Sequence, residues 1–308
     1  MTSPPSANGA PPALPSGAPS YEVFGLRLRS ALELPGLRPA PPGAAPDAVV
    51  RRGRVEAPGG PGPVGISAWP GPDADTVVWR RETRLQISAT EIVVDTADDV
   101  FARQCVVGPG LGILLHRRGP LVLHGGAVEV DGRAVVVVGH KGAGKSTTSA
   151  ALVARGHRLL TDDIVVVDEV DGALWVRPGP TQMKLRDNSA EAVGVETERF
   201  LDGLDKGVWH GAPPAAGPAP LGLVCPLAWG DHVALAPLAG GAAFGAVFEH
   251  VYAPRLLSAT AAAPLMGPVK RLVTAAPVRR LVRPPTLDAL GAAVRTVEAA
   301  VGAGAAAA

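Results

Sequence analysis

Eight consecutive residues, Gly139-His140-Lys141-Gly142-Ala143-Gly144-Lys145-Ser146, fit the pattern G-x-x-x-x-G-K-[ST] without a mismatch. The chemistry such a run can do is phosphate binding. Glycines let backbone N–H groups converge on phosphate oxygens, and the N-terminus of a following helix adds the positive end of its dipole. Lys145 is placed to reach the β and γ phosphates of a nucleotide, and the Ser146 hydroxyl to ligate Mg²⁺. The nucleotide-binding stretch is therefore read as Gly139, His140, Lys141, Gly142, Ala143, Gly144, Lys145, Ser146 and Thr147. Lys141 is a second cation inside the loop, and contact with phosphate and simple solvation are equally open for it. Downstream stands a pair of adjacent carboxylates, Asp162-Asp163, between the apolar stretches Leu159-Leu160 and Ile164–Val167. Two such acids are costly to bury without a partner, so a cation is expected beside them. Consecutive strand residues point to opposite faces, so both acids serve one site only if the chain turns or bulges there.

These residues need elements to hold them. Ala134–Val138 is a short apolar run that reads as a buried strand entering the loop, and Thr147–Arg155 reads as the helix leaving it, closed by Gly156. Asp131-Gly132 between Leu121–Val130 and Arg133–Val138 predicts a two-residue β-hairpin, because that dipeptide tolerates positive φ. His124, in Leu123-His124-Gly125-Gly126, falls on its first strand, where a lone histidine is by itself a packed residue. Asp99 to His116 has helical spacing, with Gly108-Pro109-Gly110 able to split it in two. From Tyr21 to Asp95 short alternating stretches predict a small antiparallel β-region, beginning with a strand over Phe24–Arg29. Met183 to Arg186 alternates apolar and basic, so Lys184 and Arg186 share one strand face, which could meet the transferring phosphate or an acidic peptide and is read at least as readily as a solvated face. Toward the C-terminus, Leu221–Trp229, Val233–Leu238 and Pro277–Val282 read as strands. Phe244 to Val251 keeps helical spacing, and Thr286 is read as the cap of a last helix with the apolar stripe Leu287, Leu290, Val294, Val297 and Val301. Arg255, Arg271, Arg279 and Arg280 are candidate phosphate or substrate contacts, but among 24 arginines surface charge is the favoured reading for each.

Composition narrows the classes. With 29 Lys+Arg against 28 Asp+Glu in 308 residues the charge is nearly balanced, which argues against nucleic-acid binding and against a polybasic membrane patch. Arginine outnumbers lysine 24 to 5, so each lysine carries more information than usual. Cys105 and Cys225 lie far apart and read as buried free thiols. Sixteen of the first twenty residues are Pro, Ala, Ser or Gly, a composition that reads as a disordered tail and contains no signal-peptide pattern. With no run of eighteen apolar residues, the expectation is a cytoplasmic protein. The chain divides into a tail over 1–20, a β-rich region over 21–98, a phosphate-loop domain over 99–301 and a frayed end over 302–308.

From Leu123 to Asp163 the sequence LHGGAVEVDGRAVVVVGHKGAGKSTTSAALVARGHRLLTDD resembles the catalytic domain of HPr kinase/phosphorylase. The His-Gly, hairpin, phosphate loop, helix, Arg-Gly-His-Arg-Leu stretch and Asp-Asp pair come in the same order. More loosely, Tyr21–Arg29, residues 114–119 and Pro277–Leu281 are similar to HPr-kinase-like proteins of peptide natural-product clusters. The resemblance implies an α/β fold with a mixed sheet and flanking helices, of the phosphoenolpyruvate-carboxykinase-like kind, plus the small N-terminal β-region. It implies a kinase using ATP and Mg²⁺, with Lys145 on the phosphates and Ser146 on the metal. Asp162 would be the general base, Asp163 would lie on the metal side, and His124 would assist the base; the reverse order of the two aspartates stays open. The acceptor implied is a Ser or Thr hydroxyl of a peptide or protein. A small-molecule hydroxyl, or a nucleotide-binding sensor or scaffold without transfer, are the alternatives, and a homo-oligomer stays open. The family's downstream L-E-I-R-G-type signature is replaced here by Pro178–Arg186, so HPr itself is not the expected acceptor.

Overall fold

The structure is a computed structural model and describes residues 14–15, 17–41, 43–56, 66–79, 83–198, 206–252 and 265–305. The first thirteen residues of the expected tail lie outside that set, as does Arg255. Ser20, however, already belongs to a strand, and Pro19 accepts a hydrogen bond from Ser30 N–H at 3.0 Å.

The first eight strands form one sheet: β1 (Ser20–Val23), β2 (Leu26–Ser30), β3 (Arg38–Pro39), β4 (Ala48–Arg52), β5 (Ile66–Trp69), β6 (Asp75–Trp79), β7 (Thr83–Ile87) and β8 (Glu91–Asp95). Their order is β3-β1-β2-β4-β8-β7-β6-β5. The antiparallel region expected from the sequence is in fact mixed, since β4 pairs in parallel with both β2 and β8. Period-2 alternation reports which face is buried and carries nothing about the direction of a neighbour. The single strand expected over Phe24–Arg29 is also corrected. Phe24 and Gly25 have φ of 54° and 76° and make the two-residue turn between β1 and β2.

Two helices follow, α1 (Asp99–Cys105) and α2 (Leu111–Arg118), joined by a π turn over Val106–Gly110 that accommodates Gly108 and Pro109. Asp98 caps α1 by accepting from Phe101 N–H at 2.9 Å. Leu111, Ile113, Leu114 and Leu115 pack in one cluster with Leu28, Leu85 and Ile87 of the first sheet and with Val122, Ile164 and Val166 of the second. The helices are thus wedged between the sheets.

The second sheet holds the hairpin β9 (Leu121–Val130) and β10 (Arg133–Val138), with Asp131 and Gly132 at φ of 49° and 74° as the dipeptide requires. Its other members are β11 (Arg158–Thr161), β12 (Ile164–Val170), β13 (Ala173–Arg177), β16 (Ala219–Trp229), β17 (Ala234–Leu238) and β18 (Val278–Arg283). β9 is its hub, pairing with β10, β11 and β12. β14 (Met183–Leu185) and β15 (Gly207–Trp209) pair separately. Helices α3 (Lys145–Ala154), α4 (Asp187–Val193), α5 (Gly240–Phe248), α6 (Met266–Ala275) and α7 (Leu290–Ala305) flank the sheet.

β10 shows why its valines form an unbroken run. Val135 and Val137 share a core with Leu152 of α3 and Val294 of α7, while Val136 and Val138 share another with Val247 of α5 and Val269 of α6. A strand covered on both faces is apolar throughout, and each such buried side chain contributes about 1.5–3 kcal/mol. That double layer fixes the height at which the phosphate loop leaves the sheet. The last helix differs from expectation: it starts at Leu290, so Thr286 lies before it and does not cap it, and it stays helical to Ala305.

Candidate active site

The loop after β10 is built for close approach. Gly142 and Gly144 stand at φ of 88° and 90°, and Gly144 occupies the N-cap of α3. A Cβ on Gly144 would lie 2.4 Å from Nη2 of Arg283, so only glycine fits there. Lys145 folds back on the loop, its Nζ donating to Gly139 O at 2.9 Å and to His140 O at 3.3 Å. Burial lowers its ammonium below the usual lysine value, and the Asp163 and Asp162 charges oppose the shift. His140 gives the loop only its backbone, since its exposed ring lies 5.1 Å from that of His250 and its Nε2 3.6 Å from Glu249. Thr147 Oγ1 donates to Ser189 Oγ at 3.0 Å. Lys141 is exposed at the loop's mouth.

The two carboxylates sit on the turn between β11 and β12. Asp163 takes φ of 69°, a left-handed conformation that a short polar side chain tolerates. The turn lets adjacent acids share one site, as their position in a strand alone would forbid. Asp162 Oδ1 accepts from Ser146 Oγ at 3.2 Å, and its Oδ2 from Lys184 N–H at 3.3 Å. Asp163 Oδ2 accepts from Lys184 Nζ at 3.1 Å. Lys184, for which the alternating pattern left a solvated face open, is the expected cation. Arg186 does not share a strand face with it, because β14 ends at Leu185 and Arg186 occupies the N-cap of α4.

Charge follows geometry. Burial, reinforced by the neighbouring Asp163 charge, pushes the Asp162 carboxyl up to about 7. Burial would raise Asp163 too, but the Lys184 charge and hydrogen bond outweigh it and hold that carboxyl below the usual range. Lys184 is correspondingly raised, the Asp163 charge overcoming the effect of burial. The resemblance set Asp163 beside Ser146 on the metal side and left the reverse order open; in the structure the carboxylate hydrogen-bonded to Ser146 is that of Asp162.

His124 lies on β9 opposite Ile164. Its Nδ1 is 3.0 Å from Asp163 O; a carbonyl only accepts, so Nδ1 carries the proton and Nε2 the lone pair. Burial, then Lys145, lowers its pKa and keeps it neutral. Gly126, two residues on, has a packing reason: a Cβ there would meet Ser149 Oγ at 2.4 Å and Asp162 Oδ1 at 3.5 Å. The Gly125-Gly126 pair after the histidine was the sequence signal that the helix and the aspartate approach the strand at this point.

Three hollows meet at Lys184. One lies over the phosphate loop and is lined by Lys141, Lys145, Lys184 and Lys206, four of the chain's five lysines. Lys206 was missed in the sequence, although the scarcity of lysine made every one of them a candidate. The other two adjoin each other and share Gln104, Gly108, Asp163 and Lys184. One of these is walled by Trp79, Phe101, His124 and Tyr252, the other by Pro35, Gln182 and Asp162. The π turn after α1 lines both, in keeping with the tendency of such turns to sit at functional sites. Cys105 also lines the aromatic hollow, but burial first and Asp98 second push its thiol up to about 12, so it is no nucleophile at neutral pH.

The residues fit a nucleotide triphosphate and Mg²⁺. Among the described residues no group of three or more His, Cys, Asp or Glu could hold a metal alone. Ser146 Oγ and Asp162 Oδ1 are instead two hard oxygens beside a phosphate loop. Mg²⁺ suits that arrangement, since it is commonly held by one or two protein oxygens, phosphate oxygens and water. No helix among the described residues is long and apolar enough to cross a membrane.

Residues 120–185 match the family described as HPr Serine kinase C-terminal domain. Among curated proteins, HPr kinase/phosphorylase of Clostridium beijerinckii is 48% identical over 52 residues, 17% of each chain. The enzymes of the same name from Clostridium botulinum and Clostridium perfringens are each 50% identical over 52 residues, again 17% of each chain. The similarity thus spans about one sixth of those relatives. Among solved structures, the Hpr(Ser) kinase/phosphatase from Coxiella burnetii aligns over 58% of this chain and 92% of that one, at 12% identity and a TM-score of 0.30, too low to carry weight here. The resemblance read over Leu123–Asp163 is borne out: this segment is HPr-kinase-like, and the chain carries it within a mixed α/β fold of large sheets and flanking helices.

Proposed function

We propose that this protein is an ATP-dependent kinase that transfers the γ-phosphoryl group to a Ser or Thr hydroxyl of a peptide or protein. The observation that supports it best is the Asp162-Asp163 turn, clamped by Lys184 between a lysine-lined phosphate cleft and hollows of a different character. Phosphoryl transfer asks for this division: charge neutralisation around the donor, and a base facing the acceptor.

In this reading Lys145 leaves the carbonyls of Gly139 and His140 for the β and γ phosphates. Ser146 and Asp162 hold the metal side, where Mg²⁺, when bound, neutralises phosphate charge. Asp163 accepts the hydroxyl proton. Its low pKa keeps it ionised, it lines the hollow with His124, and His124 fixes the turn through its backbone carbonyl. The raised pKa of Asp162 would nominate it as the base, but reach comes before pKa, and both Asp162 oxygens are engaged by Ser146 and Lys184 N–H. The order of the aspartates is thereby the reverse of that first taken from the resemblance.

The test is mass spectrometry of the full chain incubated with Mg·ATP and hydroxyl-bearing peptides. One added phosphate on a peptide Ser or Thr is the expected result. ATP binding without transfer to any peptide or protein would reject the reading.

A further inference from the structure

The phosphate cleft has a second end that neither the loop motif nor the family resemblance reaches. Trp229 closes β16 and Arg283 closes β18, and the two are register partners in the parallel pair. The Arg283 guanidinium lies over the Trp229 ring, 4.6 Å from Cζ to the ring centroid. Arg283 is 2% exposed; its Nη1 donates to Pro284 O at 3.1 Å and Thr286 O at 3.4 Å, and its buried Nε has no partner. Its Nη2 abuts Gly144 of the phosphate loop, so the indole is tied to the loop through the guanidinium. Trp229 nevertheless keeps 46% of its surface exposed and lines the cleft, together with Pro285 and Leu287.

A large exposed indole, backed by a cation and continuous with a lysine-lined phosphate site, matches a ligand that is anionic at one end and a flat π system at the other. We propose that Trp229, held in place by Arg283, is the platform on which the nucleobase of the donor nucleotide stacks. This inference rests on the nucleotide reading of the phosphate loop above and adds to it the residues that bind the base. Arg283 acts through Trp229 and is a positioning residue.

Isothermal titration of the full chain with Mg·ATP and with inorganic tripolyphosphate, which lacks the base, separates the two ends of the cleft. The parent should bind ATP more tightly than tripolyphosphate. Trp229→Ala should raise the Kd for ATP by about tenfold, the scale of one base–aromatic stack, and leave tripolyphosphate binding unchanged. Trp229→Phe, which keeps a ring, should restore most of the ATP affinity. Equal ATP affinity in parent and Trp229→Ala would overturn the platform alone, as would equal losses for ATP and tripolyphosphate, which would mark Trp229 as structural. A parent that binds neither ligand would overturn the phosphate-loop reading and this inference with it.

Discussion

The cleft over the phosphate loop and the aromatic hollow on the other side of Lys184 are made in opposite ways. The first takes its glycines, Lys141, Lys145, Ser146 and Thr147 from one strand–loop–helix unit, and its remaining cations, Lys184, Arg186, Lys206 and Arg283, from outside it. The second gathers Trp79, Phe101, Gln104, His124 and Tyr252 from stretches that span more than half of the chain, brought together by helices wedged between two sheets. Phosphate is the same in every nucleotide, so a local motif suffices to bind it. In the proposed function the acceptor is what is particular to each kinase, and the hollow proposed for it is assembled by tertiary structure. The short span of similarity to HPr kinases fits this division, since it covers the loop and the aspartates but not Trp79, Phe101, Gln104 or Tyr252.

Variants can break this contrast. Lys145→Ala should give the largest effect, with transfer falling by roughly 10²–10³-fold and ATP affinity falling too, read by steady-state kinetics and calorimetry. An unchanged ATP Kd would remove Lys145 from the phosphates. Lys184→Met, at the junction, should lower kcat by roughly 10²-fold, because Asp163 loses the ammonium that holds it in place, while the backbone N–H that Asp162 accepts from remains. Were only the ATP KM to move, Lys184 would belong to the donor side alone. Phe101→Ala and Gln104→Ala should each raise the acceptor KM by about tenfold with ATP binding unchanged; a shift in ATP affinity would dissolve the distinction between the clefts.

The smallest effect is expected far from both. Arg155 and His157 hold Glu298 at 2.6 and 2.9 Å, tying the phosphate-loop helix to the last helix. The Arg155 hydrogen bond, followed by that from His157, keeps the Glu298 carboxyl below its usual value. A depressed carboxyl stabilises the fold above its unfolded pKa and ceases to do so as pH falls through the folded one. Glu298→Gln should therefore cost about 0.5 kcal/mol at neutral pH and nothing in strong acid, measured by urea melts, with no change in either KM.

Legibility divides along the same line. The loop, its helix and the Asp131-Gly132 hairpin rest on local rules, so residue types and spacing were enough. The need for a cation beside Asp162-Asp163 followed from the cost of burying charge, but its identity did not. Lys184 lies on a three-residue strand whose alternation equally suits a solvated face. The roles proposed for the two aspartates turn on a positive φ at Asp163, which residue identity permits without dictating. The parallel pairings of β4 were hidden because alternation has no direction, and Trp229 with Arg283 because only register across two distant strands places them at the loop.

The central claim is that Asp163, rather than Asp162, faces the acceptor. Single-turnover phosphate transfer, with calorimetric Mg·ATP binding, should be measured on Asp162→Asn and Asp163→Asn side by side. The account predicts that Asp163→Asn loses roughly 10²–10⁴-fold in transfer at unchanged Mg·ATP affinity, whereas Asp162→Asn weakens Mg·ATP binding itself. Transfer at near-parental rate by Asp163→Asn would contradict it.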